Sequence, residues 1–173
     1  YDFLQKQNAD LQEAKTTLYQ VIQDMDAIMG KRFQETFRAL SDEFHFTFQQ
    51  LFGGGQASLL LTDPDHILET GVEISVQPPG KKVANYNLLS GGEKTMVGIA
   101  LLFAILKIKP SPFCLLDEVD AALDEANVER FANYLSRFAD KTQFLLISHR
   151  QGTMAIANAL WGITMEEEGI SKV

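Results

Sequence analysis

Two short runs of consecutive apolar residues limit the possible folds of this chain more than any other feature. The first is FCLL at 113–116, which leads directly into Asp117 and Glu118, and the second is FLLI at 144–147, which leads toward His149. Runs of this length that are apolar at every position are typical of central strands in a parallel sheet, because both faces of such a sheet are covered. We therefore expect two fully buried parallel strands.

Helices are expected between and beside these strands. Ser90 begins a helix that is apolar on every side between 96 and 106, and Asp124 caps a second helix with an apolar inner face. Residues 153–159 have a helical pattern, and 160–165 would form a last strand. Alternation of strands and helices predicts an α/β fold with a mainly parallel sheet flanked by helices.

The first thirty residues carry a heptad pattern. Leu4, Leu11, Leu18 and Met25 recur at seven-residue spacing, with polar residues on the faces between them. A hydrophobic period of about 3.5 residues predicts a coiled-coil segment, here over 1–30, that needs a partner helix. The alternative interpretation is a single amphipathic helix docked on its own domain.

A wider, aromatic-rich helical stripe follows the heptads. Six of the 12 phenylalanines lie between 33 and 52, as expected for a helix packed on a globular core. The glycines at 53–55 would end this helix, and two strands are expected at 57–62 and 72–76. We therefore predict that one globular lobe, over 31–173, follows the coiled-coil segment.

Composition excludes several classes of protein. The net charge of −8 disfavours an electrostatic grip on nucleic-acid phosphates by this chain alone. One cysteine, Cys114, cannot form an internal disulfide or a four-cysteine zinc site. No apolar segment reaches the ~20 residues of a membrane span, and the chain opens with neither a basic signal-peptide region nor a methionine. We expect an intracellular, soluble piece of a longer protein.

The ends of the two apolar runs suggest a nucleotide site. In open parallel sheets ligands bind at the carboxyl ends of the strands, where Asp117, Glu118 and His149 would meet. One acid can hold a hydrated Mg²⁺, and the next can orient or deprotonate an attacking water. Strands also often end in solvated acids, so an apolar run followed by Asp-Glu is weak evidence by itself.

The sequence LSGGEK at 89–94 leads straight into the buried helix. Ser90 and Glu93 have the spacing of a capping box, and the two glycines could permit close packing of the helix on a sheet. The same geometry suits an anion, because a helix N-terminus presents free N–H groups and the positive end of the helix dipole. The structural and the functional interpretations are compatible.

Taken together, these segments resemble the motifs of ABC-type ATPases. LSGGEK resembles their signature motif, FCLLDE at 113–118 their Walker B strand, and AALD at 121–124 their D-loop, while His149 stands at the position of their switch histidine. Three longer strings, PPGKK at 78–82, DEVDAALDEANV at 117–128 and HRQGTM from His149, resemble the C-terminal head half of bacterial-type SMC chromosome-maintenance ATPases. The similarity covers nearly the whole chain, with its motifs in family order.

The resemblance implies a role for each site residue. Asp117 would assist Mg²⁺, Glu118 would act as base toward water, and His149 would sense or stabilise the γ-phosphate of ATP. The residues that would bind the nucleotide itself are Ser90, Gly91, Gly92, Glu93 and Asp124.

The resemblance also implies partners. No G-x-x-x-x-G-K-[ST] loop occurs in the sequence, so an N-terminal head lobe would have to supply it. Hydrolysis would then need that lobe and a second head in a homodimer, and the isolated chain would be inactive. A kleisin subunit would bridge the heads of a cytoplasmic, nucleoid-associated complex that entraps DNA and condenses and segregates chromosomes. Lys81 and Lys82 are interpreted as ordinary solvated loop charges.

Two alternatives remain open at this point. One is the head of a coiled-coil ABC ATPase from DNA repair, against which the PPGKK and HRQGTM strings count. The other is a non-catalytic coiled-coil interaction module, against which the intact Asp117, Glu118 and His149 count.

Overall fold

The computed structural model describes residues 1–82, 86–140, 142–167 and 170–172, and from residue 165 onward it describes the backbone alone. Its longest element is helix α1, which spans Asp2–Phe52 without interruption. The heptad segment and the aromatic stripe are therefore parts of one 51-residue helix. The first 29 side chains are exposed, whereas Phe44 and Phe48 are fully buried. The division into a coiled-coil segment and a lobe stays a prediction. Among the described residues, no helix is both long and apolar enough to cross a membrane.

Glycines end α1, as predicted. Gly53 adopts a left-handed conformation with φ of 72°, and its N–H bonds the carbonyl of residue 49. At Gly55 a β-carbon would lie 2.4 Å from the carbonyl oxygen of Gln77, so only glycine fits. Strands β1 (Gln56–Leu61) and β2 (Val72–Gln77) follow as an antiparallel pair, which confirms both predicted strands.

Helix α2 (Gly91–Ile108) lies against α1 and forms the centre of the core, after a short 3₁₀ turn at Tyr86–Leu88. Its Phe103 is fully buried, with ring centroids of four other aromatic side chains within 6.3 Å. These four come from α3 and β4: Phe131, Tyr134, Phe138 and Phe144. The apolar composition of α2 follows from this central position.

The parallel pair predicted from the two apolar runs is present. Strands β3 (Phe113–Asp117) and β4 (Gln143–Ile147) pair in parallel, and α3 (Glu125–Phe138) connects them. One face of this pair packs on the core, where the Phe144 ring lies 6.1 Å from that of Phe103. The β3–α3–β4 unit therefore brings the two predicted strand ends side by side.

The expectation that both strands are buried on both faces is wrong for the described part of the chain. Phe113, Leu115, Leu145 and Ile147 are 50–60% exposed and share the face opposite the core. Period-two alternation of strand side chains places them together, and no described element covers them. The apolar runs thus form a sheet with one covered face.

The C-terminal part differs most from the expectation. The predicted helix at 153–159 is limited to α4 (Gln151–Met154). The last strand, expected at 160–165, begins later as β5 (Thr164–Glu167) and pairs antiparallel with β6 (Ile170–Lys172).

The mainly parallel sheet is also corrected. The described residues form three two-stranded sheets, of which only β3–β4 is parallel. The physical reason is the pairing of the last strands. Within the described part of the chain, β5 hydrogen-bonds β6, the next strand along the chain, and not β3 or β4.

Candidate functional site

The carboxyl ends of β3 and β4 gather three of the predicted site residues. Asp117 is directly opposite Ile147 in the parallel register, and the amide of Glu118 donates to the carbonyl oxygen of Ile147 at 2.9 Å. His149 follows two residues after Ile147, at the same edge. The side chains of Asp117, Glu118 and His149 are exposed, and within the described part of the chain they make no hydrogen bond or ion pair. This edge offers two carboxylates and an imidazole to a ligand.

The backbone at Glu118 is strained. Its φ is +47°, and it is the one non-glycine residue with positive φ among those the structure describes. This conformation costs ~1–2 kcal/mol for an L-residue. Such strain persists where the surrounding structure enforces it, commonly at functional sites. Glu118 is the residue directly after the last residue of β3, Asp117.

The segment after Glu118 is a pair of tight turns leading into α3. The amide of Ala121 bonds the carbonyl of Glu118 at 3.1 Å, and the amide of Leu123 bonds the carbonyl of Asp120 at 3.1 Å. The Asp124 carboxylate then accepts the amide of Asn127 at 2.8 Å. The prediction that Asp124 caps this helix is confirmed.

The predicted capping box at the start of α2 is confirmed. The Ser90 hydroxyl accepts the Glu93 amide at 3.4 Å, and the Glu93 carboxylate accepts both the amide and the hydroxyl of Ser90 at 2.8 and 2.9 Å. Lys81 also donates to Glu93, at 2.7 Å. Lys81 is exposed, as expected of a loop charge, but its ammonium is also paired with the capping glutamate, which the sequence did not indicate.

Hydrogen bonding keeps the Glu93 carboxyl ionised. Its pKa lies below the ordinary value, mainly because Lys81 donates a hydrogen bond to the carboxylate; the bonds from Ser90 and the charge of Lys81 act in the same direction. Partial burial opposes them. The start of α2 therefore carries a fixed negative charge that is already neutralised by a lysine.

The signature-like segment and the turn after Glu118 touch each other at Gly92. A β-carbon on Gly92 would lie 3.0 Å from the carbonyl oxygen of Ala122, whereas one on Gly91 would meet open space. Gly92 thus permits close packing, as the sequence suggested, but the neighbour is a turn and not a strand. Gly91 is exposed and has no such constraint.

The site residues form two groups. Ser90 shares no hydrogen bond with Asp117, Glu118 or His149, all of which the structure describes. The strand edge is one group, and the N-terminus of α2 is the other.

The donor set at the strand edge fits Mg²⁺ only as an ion that accompanies a phosphate ligand. The described residues contain no cluster of three or more acidic, histidine or cysteine side chains able to hold a metal. A hydrated Mg²⁺ typically uses one or two protein carboxylates and takes its remaining ligands from water and phosphates. Asp117, exposed at the end of β3, meets this requirement.

Sequence reasoning missed four side chains at this site. Asp120 is buried and accepts hydroxyl hydrogen bonds from Ser148 and Thr153. The guanidinium of Arg150 donates to the carbonyl oxygen of Leu123. These contacts join residues 27 to 33 positions apart in the chain, and no local spacing indicates them.

Comparison with known proteins assigns the fold. A family model described as "RecF/RecN/SMC N terminal domain" matches residues 3–172. The chain is 59% identical over all 173 residues to the chromosome partition protein Smc of Bacillus subtilis (strain 168), and it spans 15% of that relative. It superposes on the Smc head domain of Pyrococcus furiosus, solved with an extended coiled coil and bound to the C-terminal domain of ScpA, with a TM-score of 0.81. That match has 37% identity and covers 99% of this chain and 43% of the other.

A second solved structure is described as "Structural biochemistry of ATP-driven dimerization and DNA stimulated activation of SMC ATPases". It matches with a TM-score of 0.76 and 40% identity, over 83% of this chain and 86% of the other. The chain therefore has the SMC head-domain fold and belongs to the RecF/RecN/SMC family. The family match assigns the chain to the head, and its description names an N-terminal domain; it does not establish the C-terminal half predicted from the motifs.

Proposed function

We propose that this chain is the C-terminal lobe of an SMC ATPase head and supplies half of a site that hydrolyses ATP between two heads. The observation that carries the proposal is the common edge of β3 and β4, which gathers Asp117, Glu118 and His149 next to the turn ending at Asp124. This set of side chains suits water attack on a phosphate.

The motif content supports the C-terminal lobe. The family model is described as an N-terminal domain, but the 173 residues contain no G-x-x-x-x-G-K-[ST] loop to cradle the β- and γ-phosphates. The segments that resemble the signature, the Walker B strand, the D-loop and the switch histidine are all present and in order. A lobe with these motifs and no phosphate loop needs a second lobe to bind ATP.

The open face of the parallel pair supports the same conclusion. Leu115 and Leu145 are opposite each other in the register and are 59% and 50% exposed. Exposed apolar side chains on adjacent strands favour a covering partner, since burial contributes ~25 cal/mol per Å² of apolar surface. We assign this face to the N-terminal head lobe.

The chemistry follows from the positions of the side chains. Glu118 would accept the proton of the attacking water as its oxygen bonds the γ-phosphorus and the bond to the β–γ bridging oxygen breaks. His149 would donate to the γ-phosphate and hold it in line. Asp117 would hold Mg²⁺, which neutralises phosphate charge when bound.

The N-terminus of α2 would engage the ATP of the facing head. Gly91 is exposed, and the free N–H groups of the first turn suit a phosphate. The Ser90 hydroxyl has one proton, which it now donates to Glu93. Contact with the γ-phosphate would require this proton to turn away from Glu93. The Asp124 carboxylate, now bonded to the amide of Asn127, belongs to the segment that would lie across the same interface.

The relatives suggest the wider setting. Structures of the family include a head bound to the C-terminal winged-helix domain of ScpA, and the curated relatives are described as chromosome partition proteins. We propose a homodimer bridged by a kleisin of this kind, acting on DNA in the nucleoid. These relatives favour chromosome partition over the DNA-repair alternative.

Calorimetry with Mg-ATP tests the split-head proposal directly. The isolated chain should show no micromolar binding, and the chain joined to an N-terminal lobe that carries the phosphate loop should bind ATP. As the matched control, the same lobe is joined to the chain carrying Leu115→Asp and Leu145→Asp on the open face, which should prevent assembly. Micromolar binding by the isolated chain would overturn the proposal.

A further inference from the structure

A buried carboxylate lies between the two segments that carry Glu118 and His149. Asp120 is 1% exposed, and its Oδ2 accepts hydrogen bonds from the Ser148 hydroxyl at 2.6 Å and from the Thr153 hydroxyl. Thr153 is itself 3% exposed. The two residues that donate to the Asp120 carboxylate, Ser148 and Thr153, lie on either side of His149 in the chain. The carboxylate therefore fixes both ends of the segment that carries the histidine.

A second charged side chain, from the His149 segment, contacts the segment that follows Glu118. Arg150, next to His149, donates from its guanidinium to the carbonyl oxygen of Leu123. Its backbone amide donates to the Ser148 hydroxyl at 3.0 Å, and its guanidinium lies 3.4 Å from the Glu125 carboxylate. The segment after Glu118 therefore contacts the His149 segment through the side chain of Asp120, and the His149 segment contacts the segment after Glu118 through the side chain of Arg150.

The energetic cost of burying these polar groups indicates that they are needed to fix the positions of the two segments. Within the described part of the chain, Asp120 Oδ1 and Arg150 Nε are buried without a hydrogen-bond partner. Among the residues that the structure describes, no cation pairs with Asp120, which accepts hydrogen bonds from neutral hydroxyl donors. An apolar cluster of the same shape would avoid these penalties, so stability alone does not account for the polar one.

The contacts link Glu118 to His149 through a short path. The amide of Glu118 bonds the carbonyl of Ile147, the residue before Ser148, and Asp120 follows Glu118 by two residues. The two turns that carry these side chains are thus fixed to each other by one backbone bond and by the side chains of Asp120 and Arg150. The strained φ of Glu118 needs such a surrounding constraint.

We propose that Asp120, Ser148, Arg150 and Thr153, the Asp120 cluster, are positioning residues that hold His149 in register with Glu118. The cluster does not touch the nucleotide and acts through His149. This inference rests on the proposed function, because it assumes that Glu118 and His149 act on the same phosphate. Reacting groups must be held closely, and a displacement of ~1 Å can cost ~10²-fold in rate.

The test uses the complete protein and a pair of matched variants. Thr153→Val keeps the side-chain shape and removes the hydroxyl that Asp120 accepts. Thr142→Val is the control, because Thr142 is also buried, at 2% exposure, and donates its hydroxyl to the carbonyl of Ser111 at the opposite end of the parallel pair. Thr153→Ser restores the hydroxyl.

Steady-state ATP turnover separates positioning from general destabilisation. Thr153→Val should lower kcat ~10- to 100-fold with KM within about twofold of the parent, and Thr153→Ser should recover most of the loss. Thr142→Val should lower thermal stability to a similar extent and leave kcat within about twofold. Ser148→Ala should show the same split between kcat and KM as Thr153→Val.

Three outcomes would overturn the inference. They are equal losses of kcat in Thr153→Val and Thr142→Val, a change in KM as large as the change in kcat in Thr153→Val, and unchanged turnover in Thr153→Val. Glu118→Gln in the same protein separates this inference from the proposed function. If Glu118→Gln abolishes turnover and Thr153→Val does not change it, only the positioning role fails. If Glu118→Gln keeps parental turnover, the proposed function itself fails.

Discussion

The α-carbon of Gly92 faces the carbonyl oxygen of Ala122 so closely that a β-carbon would lie 3.0 Å from that oxygen. The first turn of α2 and the turn after β3 are therefore in backbone contact. Gly91, one residue earlier, borders open space. Adjacent glycines of the same motif thus have different structural roles, and alanine substitution can separate them.

Gly92→Ala should destabilise the fold relative to Gly91→Ala. Alanine at Gly91 gains up to ~1 kcal/mol in helix propensity, whereas alanine at Gly92 pushes the Ala122 carbonyl away, and overpacking typically costs ~1–3 kcal/mol. Urea unfolding of the two variants measures the difference. Equal free energies of unfolding would show that the turn yields without cost.

Ser90→Arg should block head engagement and leave ATP binding intact. If Ser90 only capped α2, Ser90→Ala would cost roughly 0.5–2 kcal/mol and change nothing else. In a reconstituted head the arginine would occupy the space of the facing nucleotide. Sizing in a Glu118→Gln background should then show monomers, and turnover should almost vanish at near-parental ATP affinity. Preserved dimerisation would rule out recognition of ATP by this motif across the interface.

Glu118 should be a residue where stability and activity conflict. Glu118→Gln keeps the backbone strain and removes the base, so turnover in the complete protein should fall ~10²–10⁴-fold with ATP still bound. Glu118→Gly should abolish turnover as well but raise the free energy of unfolding by about 1 kcal/mol, because glycine accepts φ of +47°. Urea unfolding and ATPase assays on both variants check this. A Glu118→Gly variant no more stable than Glu118→Gln would contradict the assignment of strain.

The Lys81–Glu93 pair should make the stability of the fold depend on pH in the acid range. Because the Glu93 pKa in the folded chain is depressed, its contribution is complete above the ordinary value of 4.5 and is lost as the pH falls through the lower folded value. Lys81→Met should flatten that acid-side loss of stability. Lys82→Met serves as the control, since Lys82, which the structure describes, has no ion pair. Thermal unfolding from pH 6 to about 3 measures both variants; parallel curves for the parent and Lys81→Met would exclude the contribution.

Local signals predicted the local structure well. Ser90 and Asp124 were recognisable as helix caps because capping depends on residues three positions apart. The parallel pairing of 113–117 with 143–147 followed from apolar runs separated by a helical pattern.

Long-range features were not predictable in the same way. A sequence run that is apolar on both faces cannot indicate which face this chain covers by itself, so the exposed side of Leu115 and Leu145 appeared only in the structure. The bond between Asp120 and Ser148 joins residues 28 positions apart, and the ion pair between Lys81 and Glu93 joins residues 12 apart. Such pairs depend on how elements are placed in space, which hydrophobic periodicity does not specify.

The uninterrupted path of α1 has a mechanical consequence. At 1.5 Å per residue, its 51 residues extend about 76 Å, and the exposed heptads reach roughly 63 Å beyond the buried Phe44. Because the helix contains no hinge at Gly30, its exposed N-terminal part moves together with its C-terminal end. That C-terminal end is packed among the aromatic rings of the core. A rotation of the core by about 10° would move the far tip by roughly 11 Å. Small rotations of the core on which α1 packs can therefore become large displacements at the distant end of the helix.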